Sequence, residues 1–431
     1  MKRYEQYKDS GVAWIGEIPA HWETVKPKYT MFLQKGTKPQ ELTDEDNGNL
    51  PYLTMDVLRD RTNKTTMYPT SVNDLVKVGN GDILVLWDGA NAGEVLLAKD
   101  GYLSSTMARF GFDTNKLDSR YWFYFLKGLE PILKEFAGGT TIPHLDSSKI
   151  MEEAYPIPSM EEQQAIVRYL DYKVAKIDKL IAENEAQVKE LEKYRTAVIS
   201  EVVTKGLNPN APMRDSGIQW IGEIPAHWDI FKLKYALDGI CDGTHGSYSR
   251  IEHGFPLLSA KNISDNGIIM QESESCISEE DFLSITSNGF PKYGDILFSC
   301  VGTIGRCCLF IDDNPMAFQR SVAFLRTNKK VNNTYLLCLL KSRIMQVQYD
   351  LFEKKSAQGG IYMGVIKDMM IVVPPLQEQH LITDYIEHRC RKYNLVIEKL
   401  SEQIEELKAY KIALISEAVT GQIDVRDWQE K

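Results

Sequence analysis

The chain contains two copies of one sequence unit, and this internal repeat constrains the fold more than any other feature of the sequence. Residues 9–22 read DSGVAWIGEIPAHW and residues 215–228 read DSGIQWIGEIPAHW, so twelve of fourteen positions match. Residues 161–204 align without a gap on residues 377–420, with sixteen of forty-four positions identical. We call residues 9–22 and 215–228 the leading segments. Because such self-similarity reflects a repeated architecture, we expect two copies of one structural unit.

The two aligned forty-four-residue segments predict long helices. Their apolar residues alternate at spacings of four and three, which is the 3.5-residue period of a coiled-coil seam. Ser159, followed three residues later by Glu162, is a capping-box signal for the start of the first helix. Asn184, Arg195 and Lys411 interrupt the seam, where they either fix the register or lie in solvated ends. Core packing and homodimerisation are the general alternatives for such a seam, but two matching helices in one chain favour intramolecular antiparallel pairing.

Each helix follows a globular stretch that combines strands and helices. GDILV at 81–85 returns as GDILF at 294–298, and a glycine-bearing turn follows both runs. The patterns also predict one helix over residues 118–137 and another over 332–352. Outside these echoes the two stretches differ almost everywhere, which suggests two sites that do one job on two targets. The expected fold class is α+β.

Composition limits the compartment and the partners. The net charge is −10, which argues against a chain that holds nucleic acid by bulk charge alone. The seven cysteines include no CxxC pair, so neither a disulfide framework nor a zinc site is favoured. The N-terminus has no signal-peptide core and no apolar run is long enough to span a bilayer. We therefore expect a cytoplasmic protein without membrane contact.

The sequence contains no recognisable catalytic motif. It has no GxxxxGK[ST] phosphate loop, no HExxH metal site and no N/D-P-P-Y/F tetrapeptide, which a resident adenine methyltransferase needs. His21 and His227 recur in the leading segments, but each lies between an alanine and a tryptophan, and we interpret them as packing residues. We expect no catalytic residue, no metal and no cofactor on this chain.

The repeated motifs, in their order along the chain, resemble those of the specificity subunits of type I restriction-modification systems. The resemblance rests on the duplicated WIGEIPAHW, the GDIL turn, the helix starts PIPSMEEQQ and VPPLQEQH, and the terminal SEAVTGQIDVR. DGTH at 242–245 also fits a motif of such recognition domains, whereas the first copy has KGT at 35–37. The resemblance covers the whole chain.

The resemblance implies two target recognition domains and two long helices in an intramolecular antiparallel coiled coil. Each domain would read one half of a split, asymmetric site in double-stranded DNA, and the coiled coil would set the gap. The expected divisions are a first domain over residues 1–158, a first helix over 159–205, a second domain over 206–373, and a second helix with a tail over 374–431. By pseudo-symmetry, the first leading segment should pack near the end of the second helix, so that the two termini meet.

The resemblance also implies partners that supply the chemistry. The helices would dock two methyltransferase subunits, which bind S-adenosylmethionine and methylate adenine, and restriction subunits with motor and nuclease activity would join them. A partner that completes the DNA clamp explains the acidity of this chain, and we expect weak, salt-sensitive DNA binding without it.

Side chains that read bases or hold phosphates should lie in or beside the divergent loops. Arg, Lys, Asn and Gln side chains suit this task because their donors match base edges and phosphates. The candidates are Lys35, Lys38, Arg59, Arg61, Lys64 and Arg109 in the first copy, and His245, Tyr248, Arg250, Lys261, Asn262, Gln319 and Arg320 in the second.

Two other classes of function stay open at this point. A fused methyltransferase or nuclease is the enzyme alternative, against which the missing motifs count. A coiled-coil interaction protein unrelated to DNA is the third possibility, and it would predict globular copies that match each other better than these do.

Overall fold

The chain folds as two compact units. The computed structural model describes residues 2–59, 65–114, 116–138, 143–152, 154–271, 274–353 and 359–430. The first unit comprises residues 1–185 and 402–431, and the second comprises residues 186–401. Each unit therefore contains one globular stretch and one half of each long helix.

The first unit combines short strands with four short helices and the first half of a long one. Its strands are β1 (Tyr7–Asp9), β2 (Glu17–Pro19), β3 (Glu23–Val25), β4 (Met31–Lys35), β5 (Leu42–Thr43), β6 (Tyr52–Leu53), β7 (Tyr68–Pro69), β8 (Lys77–Val78), β9 (Ile83–Leu86), β10 (Val95–Leu97), β11 (Gly101–Leu103), β12 (Met107–Phe112), β13 (Ala137–Gly138), β14 (His144–Leu145) and β15 (Tyr155–Ile157). Its helices are α1 (Met55–Leu58), α2 (Ser119–Gly128), α3 (Glu130–Glu135), α4 (Ser147–Glu152) and the start of α5 (Met160–Lys205).

The second unit has the same kind of content. Its strands are β16 (Met213–Asp215), β17 (Glu223–Pro225), β18 (Asp229–Lys232), β19 (Leu237–Asp242), β20 (Phe255–Leu258), β21 (Ile263–Ser264), β22 (Gly267–Ile268), β23 (Cys276–Ile277), β24 (Ile296–Ser299), β25 (Cys307–Leu309), β26 (Ala317–Phe318), β27 (Val322–Thr327) and β28 (Met370–Val373). Its helices are α6 (Glu279–Thr286), α7 (Asn333–Leu340), α8 (Arg343–Glu353), α9 (Met363–Asp368) and the start of α10 (Leu376–Val419). Over the described residues, no helix has the length and apolarity that a bilayer crossing requires.

The two globular stretches share one sheet topology although their sequences diverge. The first unit has a four-stranded sheet ordered β10-β9-β12-β4, and the second has the matching order β25-β24-β27-β19. Each unit also pairs two short strands in parallel, β6 with β11 and β20 with β26. The GDIL runs supply the central strands β9 and β24, whose residues are buried throughout. The expected α+β class and the duplicated architecture are confirmed.

Both helices predicted inside the globular stretches are interrupted. The predicted helix over 118–137 becomes α2 and α3, because Pro131 lies in the first turn of α3 and lacks the N–H that would continue α2. The predicted helix over 332–352 becomes α7 and α8, with the break at Ser342. The hydroxyl of Ser342 donates to the carbonyl of Leu339 at 2.6 Å, and its own carbonyl accepts the first bond of α8. The apolar pattern continues across both breaks, so the pattern alone does not show where the helix is interrupted.

Within each unit the two long helices run antiparallel and meet through a polar pair. In the first unit, Lys411 Nζ of α10 lies 2.7 Å from Asp178 Oδ1 of α5. In the second unit, Arg195 Nη1 of α5 donates to Asn394 Oδ1 of α10 at 3.1 Å. The numbers rise along one helix as they fall along the other, so the predicted antiparallel coiled coil is confirmed. Two of the polar seam residues bond across it.

Each leading segment holds the start of one long helix through a shared carboxylate. Trp22 Nε1 donates to Glu162 Oε1 at 3.3 Å, and His21 Nε2 lies 2.9 Å from the same oxygen. Ser159 Oγ also accepts from the backbone N–H of Glu162 at 3.3 Å, as the capping signal predicted. His21 therefore has the structural place that the sequence suggested.

The second copy repeats this arrangement at the start of α10. Trp228 Nε1 donates to Glu378 Oε2 at 3.1 Å, and His227 Nε2 lies 2.8 Å from that oxygen. The same tryptophan also packs beside the end of the other helix. A Cβ built on Gly206, the residue after α5, would lie 3.1 Å from its ring. Each leading segment thus packs between the start of one helix and the end of the other.

The chain termini meet in the first unit, as predicted. Tyr7 donates its hydroxyl to the carbonyl of Gly421 at 3.0 Å, and Lys2 Nζ lies 2.7 Å from Asp427 Oδ2. A Cβ on Gly421 would lie 2.4 Å from Pro19, so this position with positive φ requires glycine for space as well.

Candidate nucleic-acid interface

In the first unit, four polar and aromatic side chains meet where strand β4 ends. Lys35 Nζ lies 3.0 Å from Asp88 Oδ2 and 5.5 Å from the centre of the Trp87 ring. Trp87 Nε1 donates to His144 Nε2 at 3.0 Å, and His144 Nδ1 contacts Asp88 Oδ1. Because an indole nitrogen can only donate, His144 carries its proton on Nδ1 and directs it at Asp88. We call these four residues the first-unit cluster.

The charge of Asp88 is held in place by its neighbours. Burial disfavours its carboxylate, but the hydrogen bonds from Lys35 and His144 outweigh that effect and lower the pKa of Asp88 below its ordinary value. The carboxylate is therefore ionised at neutral pH and has two partners. The side chain of His144 is 55% exposed, so the outer edge of the cluster can meet a ligand.

Arg109, a predicted reader, has a structural role in the sheet. Its guanidinium donates to Gln34 Oε1 at 2.9 Å and lies 3.5 Å from Asp82. The second unit has a comparable pair, in which Arg326 contacts both carboxylate oxygens of Asp295 at 2.8 and 2.7 Å. The aspartate of each GDIL run therefore pairs with an arginine of the neighbouring strand, and this pairing explains Arg109 without DNA.

The remaining first-copy candidates have different environments. Lys38 is exposed, three residues beyond Lys35. Arg59 ends helix α1 and forms an ion pair with Glu94. Arg61 and Lys64 lie outside the described residues.

In the second unit the DGTH motif forms the corresponding cluster. His245 Nε2 donates to Asp242 Oδ2 at 2.8 Å, and Thr244 Oγ1 lies 2.9 Å from the hydroxyl of Tyr248. The backbone N–H of Arg320 donates to the carbonyl of Thr244 at 2.9 Å. Asp242, His245 and Arg320 line one open cavity, which also includes the aromatic Tyr362. Four of the candidates, His245, Tyr248, Gln319 and Arg320, thus lie around this motif.

Three other second-copy candidates lie on the loop that joins β20 to β23 or beside it. The exposed Arg250 reaches backbone carbonyls of Leu257 and Ser275 at 3.4 Å. Lys261 is 62% exposed and lies 3.2 Å from Glu274. Both cations therefore belong to the surface of the domain.

The predicted reader Asn262 lies inside the fold. It is 2% exposed, and its amide donates to the carbonyl of Ile269 at 3.0 Å and to Glu274 at 2.6 Å. Its side-chain oxygen accepts from the backbone N–H of Ser259, which completes a capping box. All of its polar atoms are used inside the fold, so it has none to offer a base edge.

Sequence reasoning missed Trp87, Asp88 and His144. The first two directly follow the GDIL strand, and His144 follows a glycine loop. The glycine-bearing turn that follows GDIL in both copies could have indicated this site. The backbone of β9 and β14 brings them together, since the N–H of Leu145 donates to the carbonyl of Trp87 at 3.0 Å. That pairing joins segments that are far apart in sequence.

Both clusters present groups suited to recognition. They present cationic, imidazole, carboxylate and aromatic groups, which match the edges and faces of bases. Within the described ranges, no group of three or more His, Cys, Asp or Glu residues is placed to hold a metal ion.

Comparison with known proteins agrees with this geometry. The family model described as the type I restriction modification DNA specificity domain matches residues 19–190 and again residues 252–406. The type I restriction enzyme MjaVIII specificity subunit of Methanocaldococcus jannaschii is 31% identical over 418 residues, which cover 95% of each chain. The EcoBI specificity subunit of Escherichia coli is 22% identical and spans 90% of this chain and 82% of its own length.

A solved structure shares the fold. A chain from a study of assembly and conformational transition in the type I restriction-modification system aligns with a TM-score of 0.54 at 15% identity. The alignment covers 94% of this chain and 99% of that one. With two matches to the family model and a relative similar over nearly its whole length, this chain belongs to the family of type I restriction-modification DNA specificity subunits.

Proposed function

We propose that this chain selects the DNA sequence for a type I restriction-modification complex, with each globular domain reading one half of a split, asymmetric site. The observation that carries the proposal is the pair of clusters at the ends of β4 and β19. They occupy matching places in two domains of one topology, yet they present different side chains. Two readers of one design with different reading groups suit two different half-sites.

The long helices would set the unread gap and dock two methyltransferase subunits. Several large apolar side chains on α5 and α10 are exposed, which supports docking by a partner. In the first unit these are Leu180 and Tyr410, and in the second Tyr194, Leu381, Tyr385 and Leu395. Restriction subunits would join the same complex, which acts on double-stranded DNA in the cytoplasm.

The chain would carry no chemistry of its own, and S-adenosylmethionine would be bound by the methyltransferase subunits. The absence of catalytic motifs from the sequence supports this view. Burial raises the pKa of Cys308 to about 11 and that of Cys300 to about 12, which makes these two thiols poor nucleophiles at neutral pH. The alternative, a fused DNA-modifying enzyme, would need catalytic motifs that the sequence does not contain.

Reconstitution tests this proposal. Labelled S-adenosylmethionine and DNA are incubated with this chain alone, with the methyltransferase subunit alone, and with both. We expect methyl transfer to specific sites only in the mixture. The chain alone should bind DNA weakly because its net charge is −10, and this binding should fall with salt because phosphate contacts release counterions. Transfer by the chain alone would favour the fused enzyme, and equal, unspecific transfer with and without the chain would contradict a role in specificity.

A further inference from the structure

Matched backbone hydrogen bonds define the same site in both domains. The backbone N–H just after β4 or β19 donates to the neighbouring strand, β12 or β27. The residue after the GDIL strand donates to the turn that precedes β12 or β27. A later segment then donates to the carbonyl of the residue after the GDIL strand. The pairs, donor first, are Gly36 to Met107 and Gly243 to Val322 at 2.9 Å, Trp87 to Thr106 at 2.7 Å and Cys300 to Ser321 at 2.8 Å, and Leu145 to Trp87 at 3.0 Å and Ile361 to Cys300 at 2.8 Å.

The backbone at this site tolerates little change. A Cβ on Gly36 would lie 2.2 Å from the carbonyl oxygen of Ser104, and one on Gly243 would lie 2.2 Å from that of Phe318. Only glycine fits where two backbones approach so closely. The shared Gly-Thr pair of KGTK and DGTH is therefore explained by packing.

The side chains around this fixed backbone differ in every pair. The matched hydrogen bonds and the bridges from Asp88 to His144 and from Val301 to Gly360 give the correspondences. They are Lys35 with Asp242, Lys38 with His245, Trp87 with Cys300, Asp88 with Val301, Ser105 with Arg320, and His144 with Gly360.

The positively charged side chain lies at different matched positions in the two units. In the first unit the cation Lys35 is neutralised by Asp88, and Ser105 is uncharged. In the second unit, Asp242 bonds His245, and the exposed guanidinium of Arg320 makes no hydrogen bond or ion pair within the described part of the chain. A buried framework arginine would have partners, as Arg326 has.

We propose that the residues around the shared Gly-Thr pair determine specificity in each domain, and that Arg320 reads a guanine in the second half-site. This inference rests on the proposed function. An arginine offers two parallel N–H donors that match O6 and N7 of guanine in the major groove, and this is the commonest specific contact of its kind. Arg320 lines an open cavity together with Asp242 and His245.

The alternative role for Arg320 is a phosphate contact, which has a different signature. A phosphate contact weakens binding uniformly across sequences and lowers its salt dependence, whereas a base contact relaxes one position of the site. Substitution at Arg320 therefore separates the two roles.

The test is sequencing of methylated DNA from cells that express this chain with its methyltransferase subunits. The variants are Arg320→Ser, which installs the residue of the matching first-unit position, and Arg320→Lys. Arg343→Ser removes another exposed arginine of the same domain, one outside the predicted readers, as a control, and Ser105→Arg adds the cation to the first domain. Recovery of the assembled complex shows that each variant folds.

For Arg320→Ser we expect discrimination at one G·C position of one half-site to fall on the order of tenfold or more, with the other half-site and the gap unchanged. Arg320→Lys should retain part of the preference, Arg343→Ser all of it, and Ser105→Arg should alter only the other half-site. An unchanged motif with Arg320→Ser, or a uniform loss of methylation with the same preference, would overturn the assignment. Wild-type methylation without any motif would instead refute the proposed function itself.

Discussion

The indole N–H of Trp22 donates to the carboxylate of Glu162, a residue 140 positions later in the chain, at 3.3 Å. The pair recurs as Trp228 with Glu378 at 3.1 Å. Trp22 is 1% exposed and Glu162 is 7% exposed, so the bond is shielded from water. It explains why the tryptophan of the leading segment and the glutamate of the helix start occur together in both copies.

Replacing Glu162 by alanine should destabilise the first unit by about 2 kcal/mol, because the buried indole N–H of Trp22 is left without an acceptor. The shift in the urea midpoint, followed by circular dichroism, measures this. The neighbouring Glu161 is exposed, and Glu161→Ala is the matched control with a change of about 0.5 kcal/mol or less. Equal effects of the two substitutions would contradict the role of the bond.

Gln379 offers a second test, at the start of α10. Its side chain is fully buried, donates to the carbonyls of Lys330 and Pro374 at 3.0 and 2.8 Å, and accepts from the N–H of Asn332 at 2.8 Å. Gln379→Leu should cost about 3 kcal/mol, because one buried and two partly buried backbone hydrogen bonds are lost.

The exposed Gln377 two residues earlier provides the control, since Gln377→Leu changes no buried bond. Gln163 repeats the arrangement in the first unit with Lys116, Pro158 and Asp118. Equal unfolding midpoints for the wild type and Gln379→Leu would show that the side chain does not join the helix to its domain.

The sequence predicted most of the frame and little of the recognition site. Periodicity and repeats predicted the long helices and the GDIL strands, because local sequence patterns determine such elements. The pseudo-symmetry of the repeat predicted that the termini meet. Neither predicted the first-unit cluster, since His144 reaches Asp88 only through sheet pairing across more than fifty residues. Nor does the sequence reveal the burial of Asn262, because a polar residue in a divergent loop can be a buried cap.

The pair of Asp178 and Lys411 should contribute modestly to helix pairing. Both side chains are partly exposed, so a double-mutant cycle with Asp178→Ala and Lys411→Ala should give a coupling free energy of about 0.5 kcal/mol. High salt should reduce it by screening. Zero coupling at low salt, measured by chemical unfolding, would show that the pair does not stabilise the coiled coil.

Closure of the termini should weaken in acid, because Asp424 lies 3.9 Å from Lys2 Nζ of the N-terminus. The hydrogen bonds from Arg426 lower the pKa of Asp424 below its ordinary 3.8, against the opposing effect of burial. A carboxyl group with a lowered folded pKa stabilises the fold above its unfolded pKa, and that contribution disappears as the pH falls through the folded value.

The wild type should therefore be more stable than Asp424→Asn at neutral pH, and the difference should vanish as the pH drops below 3.8. Urea unfolding of both proteins across this range measures it. A difference that is independent of pH would mean that the charge of Asp424 has no role in closure.

Two domains of one design should read two different half-sites. Methylated bases are sequenced in cells that contain this chain and its methyltransferase subunits but no other methyltransferase. We expect one motif with two short, unlike halves separated by unread bases, and no motif when this chain is absent. A single continuous motif, or the same motif without this chain, would contradict it.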